Sequence, residues 1–157
     1  MMSMISATDR EVVITRLINA SAERVYQAWT DPEQVRQWWG PDGFTLTTHE
    51  MDVKPGGVWR FIMHGPDGVD FPNTINFKEI VEAEKLVYLH SGDENVENNI
   101  RFDVTVIFKE VEGKTELTMK MVFETAEALK EVIEKYNALE GGKQHVKRLE
   151  EYLARAD

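Results

Sequence analysis

The sequence predicts an α+β fold. A curved antiparallel sheet of about seven strands wraps around a long C-terminal helix, with two short helices after the first strand. Three observations carry this prediction. Between Phe44 and Phe123 apolar and polar residues alternate in short runs separated by Pro, Gly and Asp. Two helix-start signals, at Ser21 and at Asp31-Pro32, lie between the first alternating run and this region. From Thr125 onward apolar residues recur at helical spacing over about 29 residues, or ~43 Å at ~1.5 Å per residue. A domain of this size has a radius of gyration of roughly 15 Å and is about 40 Å across. Such a helix must cross the whole molecule along the concave face of the sheet.

Glu11 to Asn19 (EVVITRLIN) is β-branched and alternating, a strand. Ser21 caps a helix from Ala22 to Ala28, with Glu23 in its first turn. Asp31-Pro32-Glu33 restarts a helix that runs into Trp38-Trp39 and stops at Gly40-Pro41. Adjacent residues on a helix do not share a face, so at most one of the two Trp is expected to be fully buried. The other would then be a lid or a partner-recognition residue.

Phe44 to Asp52 turns at Pro55-Gly56-Gly57 into Val58 to His64, and Pro66-Asp67-Gly68 leads into Phe71 to Val81. Leu86 to His90 follows Ala83-Glu84, and Gly92 to Asn99 is an acidic loop. Ile100 to Phe108 and Thr115 to Phe123 pair across Glu112-Gly113. Phe102, Val104, Val106 and Phe108 share one face, as do Leu117, Met119 and Met121 and also Trp59, Phe61 and Met63. The cover for that face is the C-terminal helix, where Leu129, Val132, Ile133, Tyr136, Leu139, Val146, Leu149 and Leu153 keep one stripe. Gly141-Gly142 costs that helix about 2 kcal/mol of propensity, so a bend is expected there. Residues 10–155 read as a single domain and residues 1–9 as a short flexible leader.

The chain has 157 residues with 18 Lys and Arg against 28 Asp and Glu, a formal charge of −10. That balance opposes sequence-independent nucleic-acid binding and docking on anionic lipid. The absence of Cys removes disulfides and thiolate metal sites. The first residues have neither a basic nor an apolar signal region, and there is no apolar run of membrane-spanning length. The expected location is the cytoplasm.

Trp59, Phe61, Met63, Phe77, Tyr88, Phe102, Met119, Met121, Val132 and Tyr136 invite two expectations. They either fill a core or line a pocket. A curved sheet around one helix is hard to fill with side chains alone, and Met adapts to varied ligands. Tyr88, Asn73, Asn76, Arg101 and Tyr136 are polar groups that could orient a ligand, although Arg101, next to Phe102, is expected to face out. His64 and His90 end strands where a general acid or base could reach a cavity mouth. His145 is expected at the surface. His49 and Met51 should face opposite to Glu50 and Asp52, so no metal site is expected, and no cofactor. No nucleophile elbow, dinucleotide loop or phosphate loop is present.

Ala28-Trp29-Thr30-Asp31-Pro32-Glu33, Trp38-Trp39-Gly40-Pro41 and Asp52-Val53-Lys54-Pro55-Gly56-Gly57-Val58-Trp59-Arg60-Phe61 resemble the Hsp90 ATPase activator-like (AHSA1-like) family. Pro66-Asp67-Gly68, Glu84-Lys85-Leu86-Val87-Tyr88 and Arg148-Leu149-Glu150 are similar to it too, over residues 10–155. That family lies in the START/Bet v 1-like SRPBCC superfamily, and the resemblance implies its helix-grip fold. It also implies three functions. The first is non-catalytic binding of a small apolar or amphipathic molecule between sheet and helix. The second is a chaperone-activating interaction with an Hsp90-type partner. The third is cyclase- or hydrolase-type chemistry on a cyclic or polyketide-like substrate. Relatives often carry Gly-Trp where this chain has Gly141-Gly142, which implies a larger cavity or a freer helix.

Overall fold

The computed structural model describes residues 4–92 and 100–155. Its strands are β1 (Met4–Ala7), β2 (Glu11–Ile18), β3 (Thr45–Met51), β4 (Val58–His64), β5 (Asp70–Val81), β6 (Lys85–Ser91), β7 (Arg101–Val111) and β8 (Lys114–Phe123). They form one antiparallel sheet in the order β1-β2-β8-β7-β6-β5-β4-β3. The helices are α1 (Ala22–Thr30), α2 (Pro32–Val35), α3 (Ala126–Tyr136) and α4 (Ala138–Arg155). The expected α+β arrangement is present, with eight strands among the described residues. The expected acidic loop lies almost wholly at residues 93–99, outside the described residues.

The extra strand is β1. The segment expected as a flexible leader pairs with β2, Ile5 opposite Ile14, and Ile5 packs on the core. Four residues are too short for alternation to register, so the pairing partner supplies what the local pattern lacks.

Local chemistry accounts for the helices. The Ser21 hydroxyl accepts from the Arg24 amide and the Asp31 carboxylate from the Glu33 amide, while Pro32 starts α2 where its missing donor costs nothing. α2 stops after four residues, at Val35. Trp38 and Trp39 therefore sit in the turn that follows rather than on a helix, and both are buried, at 0% and 3% exposure. The expectation that only one could be buried fails because it assumed helical geometry. The Trp38 indole N–H donates to the Ala28 carbonyl over 3.0 Å.

The C-terminal segment is two helices, not one bent at Gly141-Gly142. The break is at Asn137, whose φ of 53° ends α3 in the left-handed region that Asn tolerates. Gly141 and Gly142 lie inside α4 and serve close approach instead. A Cβ on Gly142 would stand 2.6 Å from Cδ1 of Ile14, and one on Gly141 would stand 3.4 Å from Pro41. Arg16, on the helix-facing side of β2, bonds Glu150 of α4 at 2.9 Å and ties sheet to helix. A bulge at His49 shifts β3 so that Thr48 and Met51 lie opposite Phe61 and Trp59, which face the helices. The predicted alternation through Asp52 is broken there, and His49 and Glu50 are both exposed, Glu50 paired with Arg60.

Candidate ligand-binding cavity

One end of the concave face is solid. Trp59, Phe61, Phe77 and Tyr88 are each at most 3% exposed, and none of them lines either of the two chambers described below. The plug is Trp39, whose ring meets Trp59 edge-on at 4.8 Å and Phe61 at 5.8 Å. These four residues lie in the buried core and outside those two chambers. The Tyr88 hydroxyl is buried without an acceptor. Burial, against the smaller opposing effect of the Trp29 indole, pushes its pKa up, so it stays protonated.

The other end is open. A partly open cavity of about 660 Å³ lies between β4–β7, the Pro41–Phe44 loop and the junction of α3 with α4. Met63, Phe71, Ile100, Phe102 and Val132 give it apolar walls. A second chamber of about 230 Å³ shares Pro41, Met63, His90, Phe102 and Gly141 with it. This chamber reaches inward to Met119, Met121, Leu129, Trp39 and His145. Five of the expected ligand residues thus come together here: Met63, Phe102, Met119, Met121 and Val132. Tyr136 lies in α3, and its side chain is outside the described residues.

The expected histidines separate. His64 points away from the helices, with Nδ1 on Asp70 and Nε2 on Thr47, each at 2.7 Å. That order of bonds resembles a base held between a hydroxyl and an acid. However, His64 and Thr47 line neither chamber. His90 faces the helices and lines both chambers. Its Nε2 bonds Oδ1 of Asn73 at 2.8 Å, while the Asn73 amide nitrogen donates to the Phe71 carbonyl over 2.7 Å. Burial lowers the His90 pKa to about 4, so the ring is neutral at pH 7. Arg101 is exposed, and Asn76 sits opposite Leu89 and Val58 on the face away from the helices.

His145, expected at the surface, is 7% exposed. Its Nδ1 accepts the Gly40 amide at 3.0 Å, and its ring lies 4.5 Å from that of Trp39. Burial, then the charges of Arg148 and His90, lower its pKa to about 3. Arg148 holds the same loop, its guanidinium donating to the carbonyls of Trp39, Gly40, Pro41 and Phe44. The sequence did carry a signal for His145, since it shares the i, i+4, i+7 stripe with Leu149 and Tyr152. Among the described residues no cluster of three His, Asp or Glu side chains is placed to hold a metal. No described helix is long and apolar enough to cross a membrane.

The fold recurs in solved structures. A protein from Arthrobacter aurescens matches with a TM-score of 0.91 at 23% identity, over 97% of this chain and 91% of its own. Protein Ms6760 from Mycobacterium smegmatis matches at 0.87 and 24%, over 98% of both chains. The AHSA1 protein from Silicibacter pomeroyi matches at 0.75 and 16%, over 94% and 99%. No curated protein matches the sequence. Likeness at these identities establishes the fold, while the family rests on the sequence itself. Residues 19–154 match the family described as activator of Hsp90 ATPase homolog 1-like protein, and the chain belongs to that family.

Proposed function

We propose that this protein binds a small apolar or amphipathic molecule, without transforming it, in the cavity between the sheet and α3–α4. The observation that carries this reading is the pair of adjoining chambers, about 660 and 230 Å³, walled by Met63, Phe102, Met119, Met121 and Val132. Volumes of ~300–1,000 Å³ with mostly apolar walls suit small-molecule ligands. Three flexible thioethers let one cavity fit more than one shape. A catalytic reading gains little support, because His64 and Thr47 line neither chamber and His90 is neutral with its Nε2 held by Asn73.

The test is titration with the neutral fluorescent probe N-phenyl-1-naphthylamine, with native mass spectrometry of the complex. One-to-one saturable binding is expected, weakened by Val132→Trp, which fills the cavity from its half-buried wall. No saturable binding, or binding indifferent to Val132→Trp, would remove the proposal.

The family match favours a second reading, in which the domain stimulates an Hsp90-type ATPase. It predicts faster ATP turnover when the purified chaperone and this protein are mixed. An unchanged rate with no detectable complex would dismiss it.

A further inference from the structure

The polar groups of the cavity have a definite handedness of donor and acceptor. The Asn73 amide nitrogen is committed to the Phe71 carbonyl, so its oxygen faces Nε2 of His90. An oxygen there requires a hydrogen on Nε2, which leaves Nδ1 of His90 as a bare acceptor. Among the described residues no donor engages Nδ1. His90 stands where the two chambers meet, between the rings of Phe102 at 4.8 Å and Phe61 at 6.0 Å.

Charge is handled differently. Among the described residues, no Lys or Arg lines either chamber, while Asp42, Asp70 and Glu140 stand on the walls of the larger one. The nearby Arg148 guanidinium donates to four backbone carbonyls of the Trp39–Phe44 loop, and Lys143 pairs with Glu140 at 3.5 Å. An anionic head would meet carboxylates and, among the described lining residues, no cation. Asp42, Asp70 and Glu140 are themselves exposed, Asp70 bonded to His64 and Glu140 to Lys143. An ammonium at the junction would therefore shed water beside two aromatic rings and a neutral imidazole, with no buried carboxylate among the described lining residues to offset the cost. His145 closes the inner chamber as a second neutral imidazole.

Building on the binding reading above, we propose that the cavity selects an uncharged apolar molecule bearing a hydroxyl, whose O–H donates to Nδ1 of His90. The apolar body fills the Met- and Phe-lined chambers, and the hydroxyl meets the acceptor that His90 offers at their junction. The ligand class is therefore an apolar alcohol or phenol, as opposed to a fatty acid, a phosphate ester or an amine.

The test is calorimetric titration of the full chain at pH 7 with four compounds of one ring system: 2-naphthol, 2-methoxynaphthalene, 2-naphthoate and protonated 2-(aminomethyl)naphthalene. One net hydrogen bond makes 2-naphthol bind about two- to tenfold tighter than its methyl ether. Both charged compounds bind at least about tenfold more weakly than 2-naphthol. His90→Phe abolishes the preference for 2-naphthol over the ether while the ether still binds. If that variant does not fold, the ¹⁵N shift of His90 Nδ1 in the unaltered protein gives the same answer. It moves on adding 2-naphthol and stays put with the ether. Equal binding of naphthol and ether, a naphthoate or ammonium that binds as tightly, or an unmoved Nδ1 shift overturns the hydroxyl proposal and leaves the cavity reading intact. Failure of all four compounds to bind removes the cavity reading, and this inference with it.

Discussion

Gly40 donates its backbone N–H to Nδ1 of His145 across 3.0 Å, joining the turn after the paired Trp to the middle of α4. The bond needs a neutral imidazole, because a protonated Nδ1 has no lone pair to offer. Burial and the charges of Arg148 and His90 lower the His145 pKa from 6.5 to about 3. In the unfolded chain His145 takes up its proton near pH 6.5, and in the folded chain only near pH 3. Between those values the unfolded state binds more protons, so stability is complete above about pH 6.5 and is lost as pH falls. The slope is at most about 1.4 kcal/mol per pH unit for one such group. Urea unfolding from pH 7 to pH 5 is expected to show this loss, and His145→Gln to flatten it. Equal slopes in the two proteins would mean that the imidazole is not buried neutral.

Arg148 is the second clamp on that turn. Its Nη1 reaches the carbonyls of Trp39, Gly40 and Pro41 at 3.1, 3.0 and 2.7 Å, and Nη2 reaches Phe44 at 3.2 Å. A single ammonium cannot span this arc, so Arg148→Lys is expected to destabilise the fold by roughly 1–3 kcal/mol. Thermal unfolding measures it. A Lys variant as stable as the parent would show that the four carbonyls do not depend on the guanidinium fork.

Two glycines that meet their neighbours closely should respond differently to one methyl group. A Cβ on Gly57 would lie 2.0 Å from the Asp52 carbonyl oxygen, a backbone atom that cannot step aside. Gly57→Ala is expected to cost about 3 kcal/mol or more. A Cβ on Gly142 meets only the terminal methyl of Ile14, beside an open chamber, and Ala improves helix propensity by about 1 kcal/mol. Gly142→Ala is expected to lie within about 1 kcal/mol of the parent. Chemical denaturation of both variants checks the ranking, and the reverse order would place the constraint on α4 instead of the turn.

The strands and their inward faces were legible because a period of two records which side is buried. Trp59, Phe61 and Met63 show both the strength of that signal and its limit. All three face the helices, but Trp59 and Phe61 are core and Met63 lines both chambers. The difference is made by Trp39, a turn residue about twenty positions upstream, and no pattern within the strand reports it. β1 was illegible because its order comes from pairing with β2, and the helix break at Asn137 was masked by the louder Gly141-Gly142. His145 was misplaced because its chemistry suggested solvent while its spacing put it on the buried stripe.

The central claim is that a ligand enters the space between Met63, Met119 and Met121. Methionine methyl groups report on it directly, because Met51, packed on the edge strand β3, lines neither chamber and serves as an internal control. With ¹³C-methyl-labelled methionine, adding N-phenyl-1-naphthylamine is expected to shift the Met63, Met119 and Met121 resonances in a saturable way and to leave Met51 in place. Unmoved resonances at all three, or a shift at Met51 as large as theirs, would contradict the cavity as the binding site.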